Sequence, residues 1–211
     1  MSVTVITVAG MSVPVITARY ARSMVRWEPG SRGRLEQAAF ELFGSKGFDR
    51  TTVAEIAARA GVTERTFFRH YGDKREILFA GAQLLQDLLV DAVLDAPGDA
   101  SAAEAARCAL AAAGAFFDDR RPASRYRQAI ILGSEELRER ELIKLATLSA
   151  ALADALRRRG VADPAATLTG ELAIAVFRVA FEAWVTDDGL ATLSERCRDS
   201  WEALRVVAAD G

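Results

Sequence analysis

The sequence predicts an all-α protein of about nine helices. Three observations predict it. Apolar residues recur at helical spacing in each long segment from Arg32 onward. Ala, Leu, Arg and Glu recur throughout, with only 5 prolines in 211 residues. No alternating strand pattern stands outside the extreme N-terminus. Hydrophobic residues make up 51% and charged residues 27%, the balance of a soluble globular chain long enough for one or two compact units.

Residues 1–30 are expected to form a flexible extension. They hold β-branched apolar stretches but lack the basic first segment of a secretory signal. Met11 or Met24 would serve equally well as the start of translation. No apolar run reaches the roughly 18–20 residues that span a bilayer, so no membrane partner is expected.

From Arg32, the stripe Leu35, Ala38, Ala39, Leu42 and Phe43 predicts a first amphipathic helix, ended by Gly47 with Phe48 packing back on it. Thr52 and Glu55 form a capping-box pattern ahead of a short helix that Gly61 stops. Thr63 caps the next, ERTFFRHY. Two short helices joined by Ala60-Gly61-Val62 make a helix-turn-helix, and residues 31–76 are read as that domain.

Residues 77–211 are read as a second helical domain. Asp73 caps a helix running from Lys74 to Leu94, and Ser101 opens the next. Pro122 suits a first helical turn, Gly133-Ser134 marks a break, and a long helix ends at Gly160. Asp163-Pro164 opens the penultimate helix. The turn at Asp187-Asp188-Gly189 precedes the last one.

The charge distribution points the same way. The net charge is -2, yet the chain through Arg75 holds twelve Lys/Arg against seven Asp/Glu, leaving seven excess negative charges on the remainder. A basic head on an acidic body suits a phosphate-facing module joined to a part kept off DNA. Cys108 and Cys197 stand in no C-x-x-C pattern and read as small buried hydrophobes in a reducing cytoplasm. The single histidine, His70, excludes a multi-histidine metal site, and no cofactor is expected.

In a helix-turn-helix the second helix enters the major groove with its N-terminal residues at the base edges. Here Val53, Ile56, Ala57 and Ala60 face inward on the first helix, while Val62 and Phe67 plug the core. Glu64, Arg65, Thr66, Phe68, Arg69 and His70 face outward. Arginine makes bidentate bonds to guanine, threonine and aromatic rings meet thymine methyls, and glutamate accepts from cytosine. Lys74 is placed to clamp a phosphate. Arg32 and Arg34 read either as phosphate contacts or as a disordered basic arm.

The segment from Arg32 to Phe79 resembles the DNA-binding domain of the TetR family. The resemblance rests on the A-x-x-L-F helix, G-F-x-x-T-T-V, I-A-x-x-A-G-V-T, the aromatic pair before His70, and D-K-R-E. It implies a homodimer that binds a double-stranded operator and is released by a small molecule held in the C-terminal domain. Position by position, it implies DNA contacts at Thr52, Glu64, Arg65, Thr66, Phe68, Arg69, His70 and Lys74. Phe68 departs from the tyrosine of many relatives and lacks a hydroxyl for phosphate. Repressors and activators use the same head; repression is the expectation.

For the second domain, broad apolar faces on the last two helices (Leu168, Leu172, Val176, Val179, Ala180; Leu190, Leu193, Trp201, Leu204) allow either a dimeric four-helix bundle or an intrachain core. The resemblance favours the dimer. Phe116, Phe117, Tyr126, Leu145, Phe177, Phe181 and Trp184 are the candidate walls of an apolar pocket, or plain core. The segment from Glu136 to Trp184 is similar to the C-terminal domain of mycofactocin-system regulators, which would imply an acyl-CoA-like ligand.

Two rival classes compete with this reading. A helical-bundle enzyme needs converging acid, base or metal residues, and there is no Glu-x-x-His pair in the body. Glu135, Glu136, Glu139 and Glu141 interleave with Arg138, Arg140 and Lys144 as a solvated ion-pair face. The other rival is an adaptor with an inactive head, against which Arg65, Thr66, Arg69 and Lys74 weigh.

Overall fold

The computed structural model describes residues 5–8, 11–14 and 30–209. Among them stand nine α-helices: α1 (Ser31–Lys46), α2 (Val53–Arg59), α3 (Glu64–His70), α4 (Ala82–Leu94), α5 (Ala102–Phe117), α6 (Arg121–Leu132), α7 (Glu135–Arg158), α8 (Ala165–Thr186) and α9 (Leu193–Ala209). Val5–Val8 and Met11–Pro14 pair as a short antiparallel two-stranded sheet. The rest of the expected flexible extension, apart from Gly30, lies outside the described residues. No single described helix is long and apolar enough to cross a membrane.

The helix starts follow local chemistry. Thr52 accepts from the Glu55 amide while the Glu55 carboxylate takes the Thr52 amide, a closed capping box. Ser101 and Glu104 repeat it at α5, and Thr63 accepts from the Thr66 amide at α3. Gly47, Gly61 and Gly160 take the left-handed backbone, φ +88°, +66° and +89°, at three of the expected helix stops.

Two expectations are corrected. The helix predicted from Lys74 to Leu94 is broken: Arg75–Phe79 is a 3-10 turn, capped by Asp73 Oδ1, and α4 begins only after Gly81. Glycine loses the most backbone freedom in a helix, so the chain turns there. Leu190, counted on the apolar face of the last helix, precedes that helix. Thr192 and Glu195 form the start of α9, leaving Leu190 99% exposed.

The chain divides into two compact units. The first comprises residues 1–80 with 125–139. Leu35, Ala39 and Phe43 of α1, Ile56 and Ala57 of α2, and Phe67 of α3 build its core. Tyr126 donates to the Phe40 carbonyl at 2.8 Å, its hydroxyl where a Gly44 side chain would begin. Burial first, and then the Glu41 charge, push its phenol up to about 12.

The second unit comprises residues 81–124 and 140–211. Its core joins Leu85, Leu89 and Val93 of α4 to Ala105, Ala109 and Ala113 of α5. Leu152 and Leu156 of α7, Ala173, Phe177 and Trp184 of α8, and Leu193, Cys197 and Trp201 of α9 complete it. Small residues let helices meet closely: a Cβ at Gly170 would lie 2.7 Å from the Ser149 carbonyl oxygen.

Candidate nucleic-acid interface

Gly61 reverses the chain between α2 and α3, and the Val62 amide closes the turn on the Ala57 carbonyl at 3.0 Å. This turn fixes which face of α3 is buried. Phe67 is 0% exposed and anchors the helix, whereas its neighbour Phe68 is 55% exposed. Phe68 meets Phe67 edge-on, ring centroids 5.4 Å apart, and leaves the rest of its ring to solvent.

Arg65 and Arg69 flank that ring at the i−3 and i+1 positions. Both are exposed, and neither has a hydrogen-bond or ion-pair partner among the described residues. Glu64 stands exposed in the first turn. Thr66 is half-buried, with its hydroxyl 3.1 Å from that of Thr63. His70 is exposed at the end of α3, and its Nε2 hydrogen-bonds Ser31 Oγ at 2.8 Å, tying α3 to the start of α1. Thr52 is exposed at the N-cap of α2 and donates its hydroxyl to Glu55 Oε2 at 2.8 Å. The structure thus brings Glu64, Arg65, Phe68, Arg69 and His70 onto the solvent side of one helix.

Lys74 is corrected. Its ammonium donates to the carbonyls of Phe48 (2.8 Å), Thr51 (3.0 Å) and Asp49 (3.3 Å), and lies 4.3 Å from the Phe48 ring centroid. An ammonium has three donors, and here all three hold the loop that delivers Thr52 to α2. Arg32 and Arg34 are likewise not a loose arm. Arg34 donates to the Ala60 carbonyl at 3.0 Å, and Arg32 pairs with Glu36 at 3.2 Å.

One contributor that sequence reading missed is the ion pair of Lys46 with Glu55, which joins the end of α1 to the start of α2. Lys46, then the Thr52 amide and hydroxyl, hold the Glu55 carboxyl down at about 2. Only Glu55's place in the capping box was visible in the sequence. Among the described residues no group of three or more His, Cys, Asp or Glu is placed to hold a metal ion.

The candidate pocket residues divide. In the second unit Phe117 is a hub, with ring centroids 4.9 Å from Phe116, 5.3 Å from Phe181, 6.0 Å from Phe177 and 6.4 Å from Trp184. Leu145 packs against the same core. Tyr126 is not brought together with them: it belongs to the first unit, held over Gly44 by the Phe40 carbonyl. A cavity of about 630 Å³ opens in the second unit, and none of the seven lines it.

Comparison with known proteins adds four findings. Residues 36–80 match the family model described as bacterial regulatory proteins, tetR family. The HTH-type transcriptional regulator TcmR of Streptomyces glaucescens is 35% identical over 63 residues, 30% of this chain and 28% of its own length. The putative mycofactocin biosynthesis transcriptional regulator MftR of Mycobacterium tuberculosis is 26% identical over 160 residues, covering 74% of this chain and 81% of that protein. The fold matches the transcriptional regulator FadR of Bacillus subtilis, solved in complex with stearoyl-CoA, with TM-score 0.56 and 18% identity, over 81% of this chain and 96% of that one.

Proposed function

We propose that the chain is a ligand-responsive, cytoplasmic repressor of the TetR type that binds a palindromic operator as a homodimer. The observation that carries this reading is the exposed patch on α3: two unpaired guanidiniums, Arg65 and Arg69, around the bare ring of Phe68. Placed in a major groove, the arginines have the fork geometry for guanine O6 and N7, and the phenyl meets a thymine methyl. Thr52, Glu64, Thr66 and His70 complete the contact set, with Thr52 and His70 at its backbone-facing edges. Lys74 takes the role of loop clamp instead.

The dimer reading rests on α8. Its buried side carries Ala166, Gly170, Ala173, Phe177, Ala180 and Trp184, while Leu168, Leu172, Ala175 and Val179 form a second, exposed apolar stripe. These lie at i, i+4, i+7 and i+11, the seam spacing of a helix bundle. On α9, Val206 and Val207 are exposed as well. A second copy covering both helices makes a four-helix interface and places two heads on half-sites about 34–36 Å apart.

The effector is a small apolar or amphipathic molecule. The aromatic core around Phe117 supports an apolar body, and an acyl-CoA-like ligand is the specific form of this reading. Effector binding shifts the head spacing away from the helical repeat of DNA and releases the operator. Light scattering of the protein on a short palindromic duplex tests the assembly. Two chains per half-site pair support the reading, and a single chain per duplex contradicts it.

A further inference from the structure

The cavity of about 630 Å³ lies in the second unit between α5, α9 and the loop that follows α4, away from the aromatic hub. Its size falls within the roughly 300–1,000 Å³ of small-molecule sites. Leu110, Cys108, Cys197 and Trp201 supply an apolar lining. One wall is the loop at Ala96–Pro97, fixed from behind by Arg159, whose guanidinium donates to the carbonyls of Leu94 (3.1 Å), Ala96 (2.7 Å) and Pro97 (2.6 Å).

Two arginines line the cavity from facing helices, Arg107 on α5 and Arg198 on α9. Both are exposed, and neither has a hydrogen-bond or ion-pair partner among the described residues. Two acids also line it. Glu104 is engaged at the start of α5, accepting from the Ser101 amide (2.8 Å) and hydroxyl (2.7 Å), which together with the Arg107 charge lowers its pKa. Asp99 sits on the loop side. The free donors are therefore the two guanidiniums on the helix side, beside an apolar cleft. Guanidiniums recognise carboxylate, sulfonate and phosphate oxygens by paired N–H bonds.

We infer that this groove binds an amphipathic organic anion, its acidic group held between Arg107 and Arg198 and its apolar body laid against Leu110 and Trp201. The inference names a second site, apart from the aromatic core, and rests on the effector reading for any regulatory consequence.

The test uses the full chain without DNA. Anilinonaphthalene sulfonate is titrated by its fluorescence, and decanoate and decanol are titrated by calorimetry. We expect saturable binding of the sulfonate, competition by decanoate, and at least a tenfold loss for both anions in Arg107→Ala/Arg198→Ala. Decanol binding should be unchanged in that variant. Ala111→Trp, an exposed lining position, should block all three ligands while keeping the helical circular dichroism of the parent. Equal anion affinity in parent and double variant, full binding by Ala111→Trp, or no binding of either anion to the parent would each overturn the inference. Operator binding, measured separately, distinguishes this failure from failure of the regulator reading.

Discussion

The Lys74 ammonium lies 2.8 Å from the Phe48 carbonyl oxygen and 4.3 Å from the centre of the same residue's ring, so one side chain grips both the backbone and the face of another. Hydrogen bonds from a charged donor contribute about 1.5–3 kcal/mol, and an exposed cation–π contact about 0.5–1 kcal/mol.

Lys74→Met should therefore destabilise the protein by about 2–3 kcal/mol, read as a fall in melting temperature of roughly 5–10 °C for a chain of this size. A lysine on a DNA phosphate would give a different result. Its loss would reduce the slope of log binding constant against log salt by about 1. Well below the melting temperature, Lys74→Met should keep the parent slope.

Gly114 of α5 packs directly against Ser194 of α9. A Cβ at 114 would stand 2.7 Å from Ser194 Cα and 2.8 Å from its amide nitrogen. Alanine in a helix interior is favoured over glycine by about 1 kcal/mol, but here it meets backbone that cannot rotate away. The clash wins, at about 1–3 kcal/mol for overpacking. Denaturant unfolding of Gly114→Ala should show a lower midpoint with an unchanged slope.

Acid should loosen the head through Glu55. Its carboxyl is held at about 2, against 4.5 for the free group, by Lys46 and the Thr52 cap. A depressed carboxylate stabilises the fold fully above the unfolded value and loses that contribution as the pH falls from about 4.5 towards 2. Thermal melts across this range should fall less steeply for Glu55→Gln than for the parent. Parallel curves would remove Glu55 from the account.

The features legible in the sequence are local ones. Thr52 with Glu55, Thr63, Ser101 and the stops at Gly47, Gly61 and Gly160 each act within one turn of chain, so residue type and spacing were enough. Phe67 in and Phe68 out followed from helical period. The loop contacts of Lys74 were not legible because its partners lie across the fold at Phe48, Asp49 and Thr51, and nothing in the spacing marks a carbonyl as a target. The place of Tyr126 over Gly44 was hidden for the same reason, since it is a long-range contact. The groove is invisible in sequence because Arg107 and Arg198 are neighbours of it only through the packing of α5 on α9. The misplacement of Leu190 came from reading apolarity ahead of the cap at Thr192.

The central claim is that Arg65 and Arg69 on α3 read an operator. Fluorescence anisotropy of the protein against the DNA flanking its own gene, at two salt concentrations, tests it most directly with Arg65→Ala/Arg69→Ala run alongside. At about 1–3 kcal/mol per base-contacting arginine, the double variant should bind the selected fragment at least about thirtyfold more weakly. The parent should bind tightly, selectively and with strong salt dependence. Equal binding of parent and variant to that fragment and to unrelated DNA, at both salts, would contradict the claim.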